Sequence, residues 1–324
     1  MNVLLFDTAI GTFNRGDDII LNSAEEALAP LIHQSYVMRL GTHINNLNLY
    51  HYLRNSKKLQ FVDECDYKFV LGTNLLTANV VRSIGQWAVG PLSKRLYKDS
   101  IMVGVGITKD NQNPTGLTKM FYKDILRRDI AHSVRDEQSK DMLESICDVK
   151  VINTGCPTLW GLTPDFCVGI PTQKAANVVF TVSGQTKYQN RERDQLLLST
   201  VEQLYDKIYF WVQTYEDEPY FRSLQHTKDV QYVYSLKQYG DICDHGDVDY
   251  VGTRLHGGVF AMQHGVRAVI VEIDHRAKGF REINNINTIP RERLEELSDY
   301  LQGTIQTKVH LREKEIKEWT SQFF

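Results

Sequence analysis

The sequence MNVLLFDTAIGTFNRGDDIILNSAEEALAPL, residues 1–31, decides the fold class. Its first part, NVLLFD at residues 2–7, is a short apolar run that predicts a buried strand. A loop rich in Gly and Asn follows it. After the loop, apolar residues recur at helical spacing, at Ile20, Ala24, Ala27 and Leu31. The stretch is therefore predicted to be a strand, a loop and a helix, which is the building unit of an α/β sheet.

The same alternation continues along the chain. Further apolar runs predict strands at residues 35–40, 66–72, 100–106, 131–135, 177–184, 207–213, 230–235, 247–253 and 266–273. Helical stretches separate most of them, and the last clear one covers residues 313–323. Near-continuous apolar strands separated by helices are typical of a parallel sheet that is covered on both faces.

The length of 324 residues is about twice that of a usual domain, so two domains are expected. Residues 161–176 contain prolines and glycines with little periodicity, which is typical of a linker. We therefore predict an α/β protein with two Rossmann-like, doubly wound domains facing a cleft, at residues 1–165 and 175–305. Residues 306–324 would form a helix that could pack back on the first domain. Ligands of such sheets bind at the carboxyl ends of the strands.

Composition excludes several classes of protein. The 37 basic and 40 acidic residues give a net charge of -3, which provides no general attraction to nucleic acid or to an anionic membrane. The five cysteines contain no C-x-x-C pair, which fits a reducing cytoplasm best. No run approaches the ~20 apolar residues of a membrane-spanning helix, so any membrane contact would be peripheral, at the inner face. No metal-binding motif is present, so no metal site is expected.

The loop GTFNRGDD, residues 11–18, is the first candidate site. Its spacing is G-x-x-x-x-G, but Asp17 and Asp18 stand where a Walker loop needs Lys and Ser or Thr. The dinucleotide fingerprint G-x-G-x-x-G is also absent. The glycines, Asn14 and a capping Asp would suit a tight turn that presents backbone N–H groups to a ligand. A capped helix behind a glycine turn explains the same residues equally well.

The second candidate is VGTRLHGGVFAMQHG, residues 251–265, where a strand runs into a helix. On extended backbone, alternation would place Arg254 and His256 on the same side. Gly257 and Gly258 at the helix start would let an anion approach the N–H groups and the positive end of the helix dipole. A guanidinium adds a planar fork suited to carboxylate or phosphate. The alternative is an arginine in a surface ion pair and a histidine that caps the helix.

Charged residues follow two further strands. Arg135 and Asp136 lead into a helix, where they could contact a ligand, or Asp136 could cap the helix and pair with Arg135. The segment EIDHRAKGF, residues 272–280, contains four charged or ionisable residues in succession from Asp274 to Lys278, interrupted only by an alanine. Such a loop is usually solvated surface, and its position after a strand is the reason to keep it as a candidate.

Taken together, these residues resemble the polysaccharide pyruvyl transferase family. The resemblance rests on Asn14-x-Gly16-Asp17, Arg135-Asp136 with Ser139, Gly155-x-Pro157 and, above all, Thr253-Arg254-Leu255-His256 before a Gly/Ala-rich helix. It implies a GT-B-like architecture and transfer of pyruvyl from phosphoenolpyruvate to two hydroxyls of a sugar, forming a ketal and releasing phosphate in cell-surface glycan biosynthesis. The chain departs from the family's frequent Asp-x-Lys pattern, because three residues separate Asp274 from Lys278.

The resemblance also implies roles for donor-binding residues. Arg135, Arg254 and the helix start at Gly257 and Gly258 would bind the phosphate and carboxylate of phosphoenolpyruvate, which needs several donors at once. His256 would protonate the enol methylene.

Other residues would serve the acceptor and the reaction as a whole. Asp17 would accept the proton of an acceptor hydroxyl, while Asn14 and Lys278 would contact substrate. The partners would be a small-molecule donor and a glycan or lipid-linked sugar acceptor, with no nucleic acid. No step requires a metal or another cofactor.

Two other functions stay open from the sequence. A GT-B glycosyltransferase would hold a nucleotide-sugar diphosphate at the same positive helix end, although no base or ribose pocket can be located in the sequence. A non-catalytic binding protein on the same scaffold would have lost turnover, and the intact Arg254 and His256 argue against that history.

Overall fold

The computed structural model describes residues 1–81, 87, 89, 93–107 and 113–324. The chain divides into two compact units. Unit 1 comprises Met1–Thr12, Asp17–Trp160 and Arg312–Phe324, and unit 2 comprises Phe13–Gly16 and Gly161–Leu311.

Strands and helices alternate through the described residues. The strands are β1 Asn2–Asp7, β2 Tyr36–Gly41, β3 Tyr67–Leu71, β4 Ser100–Val103, β5 His132–Val134, β6 Val151–Asn153, β7 Asn177–Thr181, β8 Ile208–Trp211, β9 Val230–Val233, β10 Val248–Gly252, β11 Ala268–Glu272 and β12 Thr288–Pro290. The α-helices are α1 Gly16–Ala27, α2 Ala29–Ile32, α3 Leu49–Leu53, α4 Lys57–Asp63, α5 Lys94–Tyr97, α6 Gly116–Ile125, α7 Glu137–Ile146, α8 Pro164–Val168, α9 Arg191–Leu204, α10 Asp217–Arg222, α11 Leu236–His245, α12 Leu255–Gln263, α13 His275–Asn284, α14 Leu297–Gln302 and α15 Glu313–Thr320. Within the described ranges, none of these helices is long and apolar enough to cross a membrane.

Unit 1 contains a parallel sheet in the order β2-β1-β3-β4 and a parallel pair, β5 and β6. His132 joins β5 to β4, because its Nδ1 accepts a hydrogen bond from the backbone N–H of Met102 at 3.2 Å. Its Nε2–H donates to the carbonyl of Arg127 at 2.8 Å. The ring is fully buried, and burial lowers the pKa of His132 to about 4. The neutral imidazole of His132 therefore accepts the hydrogen bond of a β4 N–H group in place of a backbone carbonyl.

Unit 2 contains a six-stranded parallel sheet in the order β12-β11-β10-β7-β8-β9. Its central strands, β10, β7 and β8, are almost continuously buried, as expected for a sheet with helices on both faces. The predicted fold class, α/β with Rossmann-like doubly wound sheets, is confirmed.

The predicted strands occur within a few residues of their expected positions, but β6 and β12 were missed. Each has only three residues, too short for a periodic signal. Residues 161–176, expected as a linker, lie in unit 2 and include α8, which Thr163 caps by accepting a hydrogen bond from the N–H of Phe166. Pro164 is tolerated in the first turn, where its missing N–H is not needed. In α15, Trp319 is buried in unit 1, and its Nε1–H donates to the carbonyl of Ala131 at 2.8 Å.

Candidate functional site

The turn from β10 to α12 carries Arg254 and His256. The strand ends at Gly252, Arg254 is the N-cap residue with extended backbone, and the helix begins at Leu255. The prediction that Arg254 and His256 alternate along extended backbone is therefore wrong, because His256 already lies in the first helical turn. Both residues are buried, with 7% and 6% of their surface exposed.

Asp217 holds the Arg254 side chain in place. Nε of Arg254 donates to Oδ2 of Asp217 at 3.1 Å, and Nη2 donates to Oδ1 of Asp217 and to Oγ1 of Thr214. Asp217 has no exposed surface. One interpretation of the sequence is a surface ion pair for Arg254. The pair exists, but it is buried and its partner lies 37 residues away in the chain.

Asp217 also links three loops at the carboxyl end of the sheet. Besides Arg254, which follows β10, it accepts hydrogen bonds from the N–H of Gly184 after β7 at 2.8 Å and from the N–H of Thr214 after β8 at 2.9 Å. Gly184 must be glycine here, because a Cβ atom would lie 2.0 Å from the carbonyl oxygen of Glu216. Sequence reasoning missed Asp217, which no local motif distinguishes.

Hydroxyl groups beneath the turn fix its backbone. The hydroxyl of Tyr250 donates to the carbonyl of Arg254 at 2.7 Å, and that of Tyr239 donates to the carbonyl of Gly257 at 2.8 Å. Burial raises the pKa of Tyr250 and of Tyr239, so both phenols keep the proton that they donate. The start of α12 is thus anchored from the sheet and from α11.

Gly257 and Gly258 have a packing reason to be glycine. A Cβ atom on Gly257 would lie 2.8 Å from the Trp211 ring, and one on Gly258 would lie 2.5 Å from the Ile270 side chain. Both missing side chains therefore point at the sheet, and the glycines let α12 approach it closely. Binding of an anion by these glycines would use their backbone N–H groups, and it stays a prediction. The side chain of Arg254, the N-cap residue of α12, makes no capping hydrogen bond to the helix.

The loop containing Asn14 belongs to unit 2 and joins the same group of residues. Oδ1 of Asn14 accepts hydrogen bonds from Nε2 of Gln213 at 2.7 Å and from the N–H of Gly16 at 3.1 Å. The N–H of Arg15 donates to the carbonyl of Gln213, and Asn14 forms an antiparallel bridge with Thr214. Since Thr214 also contacts Arg254, the structure brings Asn14 and Arg254 into one network.

Asp17 and Arg135 are placed in unit 1. Asp17 is buried and accepts hydrogen bonds from Oγ1 of Thr12 at 2.6 Å and from Oγ1 of Thr73 at 3.2 Å. Arg135 donates from Nη2 to Oδ1 of Asn74. Its side chain passes over Gly106, where a Cβ atom would lie 2.2 Å from Nε of Arg135.

Asp136 caps a helix, as one of the two sequence interpretations expected. Its Oδ1 accepts a hydrogen bond from the N–H of Ser139 in the first turn of α7 at 2.7 Å. It also lies 3.7 Å from Nε of Arg135, so the ion pair of that interpretation is present as well.

Asp274 and Lys278 belong to helix α13. Asp274 is its N-cap and pairs with Arg276. Burial acts to raise the pKa of Asp274, but the charge and hydrogen bonds of Arg276 outweigh it and hold the pKa below its ordinary value. Lys278 is exposed and pairs with Glu282 one turn further along. Among the described residues, the structure gives Lys278 no contact with Arg254 or Asn14.

Several buried polar atoms gather at the carboxyl ends of β7, β8 and β10. In the described part of the chain, Oγ of Ser183, Oε1 of Gln213 and Oγ1 of Thr253 have no hydrogen-bond partner. Buried polar atoms are usually paired, so such a group indicates a place for water or a polar ligand. Over the same described residues, no cluster of His, Cys, Asp or Glu is arranged to hold a metal ion.

Comparison with known families places this site in context. The family model for polysaccharide pyruvyl transferase matches residues 14–275. The chain belongs to the polysaccharide pyruvyl transferase family. It is therefore a transferase, and the family resemblance inferred from the motifs at Asn14, Arg135 and Arg254 is confirmed. No curated protein sequence matches the chain.

Solved structures show the fold alone. The UDP-GlcNAc 2-epimerase from Methanocaldococcus jannaschii is 13% identical, with a TM-score of 0.55 over 98% of this chain and 97% of that chain. The S. aureus protein MnaA, solved with UDP, is 11% identical, with a TM-score of 0.55 over 98% of this chain and 94% of that chain. At this level of sequence identity, the similarity shows a shared α/β architecture and says nothing about a substrate.

Proposed function

We propose that this chain transfers pyruvyl from phosphoenolpyruvate to two hydroxyls of a sugar, forming a ketal and releasing phosphate in cell-surface glycan biosynthesis. The observation that carries the proposal is the fixed position of Arg254 at the start of α12, directly before the His256 turn. Family membership supports the reaction class.

The donor needs cationic and N–H groups, because phosphoenolpyruvate carries a phosphate and a carboxylate. Asp217 and Thr214 use Nε and Nη2 of Arg254, and among the described residues Nη1 has no acceptor. Nη1 and the N–H groups at the start of α12 would meet one anionic group of the donor. The hydroxyls of Ser183 and Thr253 are further donors at the same strand ends. The prediction from the sequence that Arg135 binds an anionic group of the donor stays a prediction.

The chemistry proceeds by proton transfer and two additions. His256 gives a proton to the methylene carbon, which becomes the methyl group, and the neighbouring carbon becomes electrophilic. One sugar hydroxyl adds to that carbon and loses its proton to a base, for which Asp17 is the candidate. The second hydroxyl then replaces the phosphate on the same carbon and closes the ketal ring, and its proton leaves with the phosphate. The steps balance with phosphoenolpyruvate and the sugar as sole reactants, so no cofactor is proposed, and a cytoplasmic location would supply the donor.

The test measures phosphate release from phosphoenolpyruvate with a panel of sugars, together with thermal unfolding. Ligand that binds only the folded protein raises the midpoint of unfolding by mass action, so phosphoenolpyruvate should raise it and UDP- or GDP-sugars should not. A shift with the nucleotide sugars and none with phosphoenolpyruvate would instead identify a glycosyltransferase.

Two arginine variants separate binding from folding. Arg254→Lys should abolish turnover and weaken phosphoenolpyruvate binding, because a point charge does not replace a planar fork. Arg267→Lys is the matched control: Arg267 is also buried and pairs with Asp249, but at the amino end of β10 and β11. It should lower stability without changing donor affinity in the folded protein. Near-normal turnover and donor affinity in Arg254→Lys would assign Arg254 a structural role alone.

A further inference from the structure

Two aromatic side chains stand exposed beside the Arg254 network. Phe13 has 78% and Tyr215 has 68% of its surface exposed, and their ring centroids lie 5.5 Å apart at an interplanar angle of 66°. Burial would stabilise either ring, because large apolar side chains gain free energy when they are removed from water. A pair of large apolar rings held together in solvent therefore needs an explanation.

The backbone around the rings is fixed. Asn14 and Thr214 form an antiparallel bridge, so Phe13 and Tyr215 are the directly opposite pair next to it. The N–H of Arg15 donates to the carbonyl of Gln213 at 2.9 Å on the other side of the bridge. Cross-strand neighbours of this kind hold their side chains at contact distance. The two rings are thus pre-organised as one surface, which we name the aromatic platform.

The platform is continuous with the candidate site. Thr214, next to Tyr215 in the chain, donates its hydroxyl to Asp217 at 2.8 Å and accepts a hydrogen bond from Arg254 at 2.7 Å. Asn14, next to Phe13, is bonded to Gln213, whose Oε1 is buried without a partner in the described part of the chain. A buried polar group, the Arg254 network and the exposed aromatic rings therefore adjoin one another along two short segments.

We infer that the aromatic platform of Phe13 and Tyr215 binds a pyranose ring of the acceptor sugar. This inference rests on the proposed function, which makes the acceptor a sugar. The two faces of a pyranose present C–H groups, which are attracted to the electron-rich face of an aromatic ring, while the hydroxyls project from its edge. Stacking on the platform leaves those edge hydroxyls for hydrogen bonds and for reaction. Because the rings recognise C–H groups, the platform selects ring shape, and the neighbouring polar groups select hydroxyl configuration.

Sugar binding is measured first without phosphoenolpyruvate, by saturation-transfer NMR with the methyl glycosides of glucose, galactose, mannose and N-acetylglucosamine. We expect saturation to reach the ring C–H protons of at least one of them. Phe13→Ala and Tyr215→Ala should each weaken the binding of that sugar by about 2- to 12-fold, which is the range expected for the loss of one aromatic contact. Tyr36→Ala is the matched control, since Tyr36 is 71% exposed and lies 5.6 Å from the Phe61 ring in unit 1; it should change nothing.

The readouts separate this inference from the proposed function. In the phosphate-release assay, both platform variants should raise the KM for the sugar and leave the KM for phosphoenolpyruvate unchanged. Unchanged sugar affinity in both variants would overturn the platform and leave pyruvyl transfer intact. Sugar binding that depends on both rings in a protein that releases no phosphate would support the platform and overturn pyruvyl transfer. The platform would also be overturned if none of the four sugars showed saturation, or if sedimentation showed that the unmodified protein is a dimer and both variants are monomers.

Discussion

Replacing Asp217 by asparagine should destabilise unit 2 more than any surface substitution. Asp217 is fully buried and accepts hydrogen bonds from Gly184, Thr214 and Arg254. Asp217→Asn removes the charge that compensates the Arg254 guanidinium, whose side chain is only 8% exposed. Breaking a buried pair from one side typically costs about 3–5 kcal/mol. For a domain of this size, each kcal/mol lowers the midpoint by about 2–4 °C, so the expected fall is roughly 6–20 °C.

The assay is thermal unfolding of the full chain, with two comparison variants. Asp241→Asn removes a carboxylate from an exposed pair with Lys237, and should lower the midpoint by no more than about 2 °C. The double variant Asp217→Asn/Arg254→Met removes both buried charges. It should recover more than half of the loss, because an unpaired buried charge costs more than an absent pair.

Two results would refute this reasoning. If Asp217→Asn unfolds within 2 °C of the unmodified protein, Asp217 does not hold the three loops together. If the double variant is as unstable as the single one, the loss comes from packing rather than from the unpaired arginine.

Two histidines give further predictions. Since burial lowers the pKa of His132 to about 4 from an ordinary ~6.5, its contribution to stability is complete above pH 6.5 and is lost as the pH falls from 6.5 to 4, by about 3 kcal/mol in all. The His132→Gln variant should be less stable than the unmodified protein at pH 7.5. Its free energy of unfolding in urea should also change less between pH 6.5 and pH 4. An unchanged pH dependence would contradict a neutral His132 between β4 and β5. His256→Gln should lower turnover by about 10²- to 10⁴-fold with the fold and donor affinity kept, whereas His275→Gln should not. If His256→Gln keeps most of its rate, the general acid lies elsewhere.

The sequence predicted the fold well because its signals are local. Each long strand is an apolar run between turn residues, and alternation of strands with helices defines a parallel sheet without any knowledge of distant contacts. The same approach located Arg254 and His256, since a strand end followed by two glycines is a local pattern. It placed them on extended backbone, however, because the position of the last strand residue is set by pairing with β7, where Gly252 opposes Thr181.

The rest of the site depends on contacts between segments far apart in the chain. Nothing around Asp217 distinguishes it from another acidic residue at a helix start, and its importance appears only when Gly184 and Arg254 are seen to share it. Likewise, Phe13 and Tyr215 are separated by about two hundred residues, and only the bridge beside them makes them a pair. Side-chain function of this kind is a property of the folded sheet and cannot be inferred from spacing.

The charge balance at Arg254 limits how this site could hold a doubly charged phosphate. Arg254 and Asp217 together carry no net charge, so attraction to the donor cannot come from that guanidinium alone. The dipole of α12 contributes the equivalent of about half a charge at its first turn. The backbone N–H groups of that turn would donate hydrogen bonds to the same phosphate. On this proposal the start of α12 supplies attraction to the phosphate, while the arginine, fixed by Asp217, contributes direction more than charge.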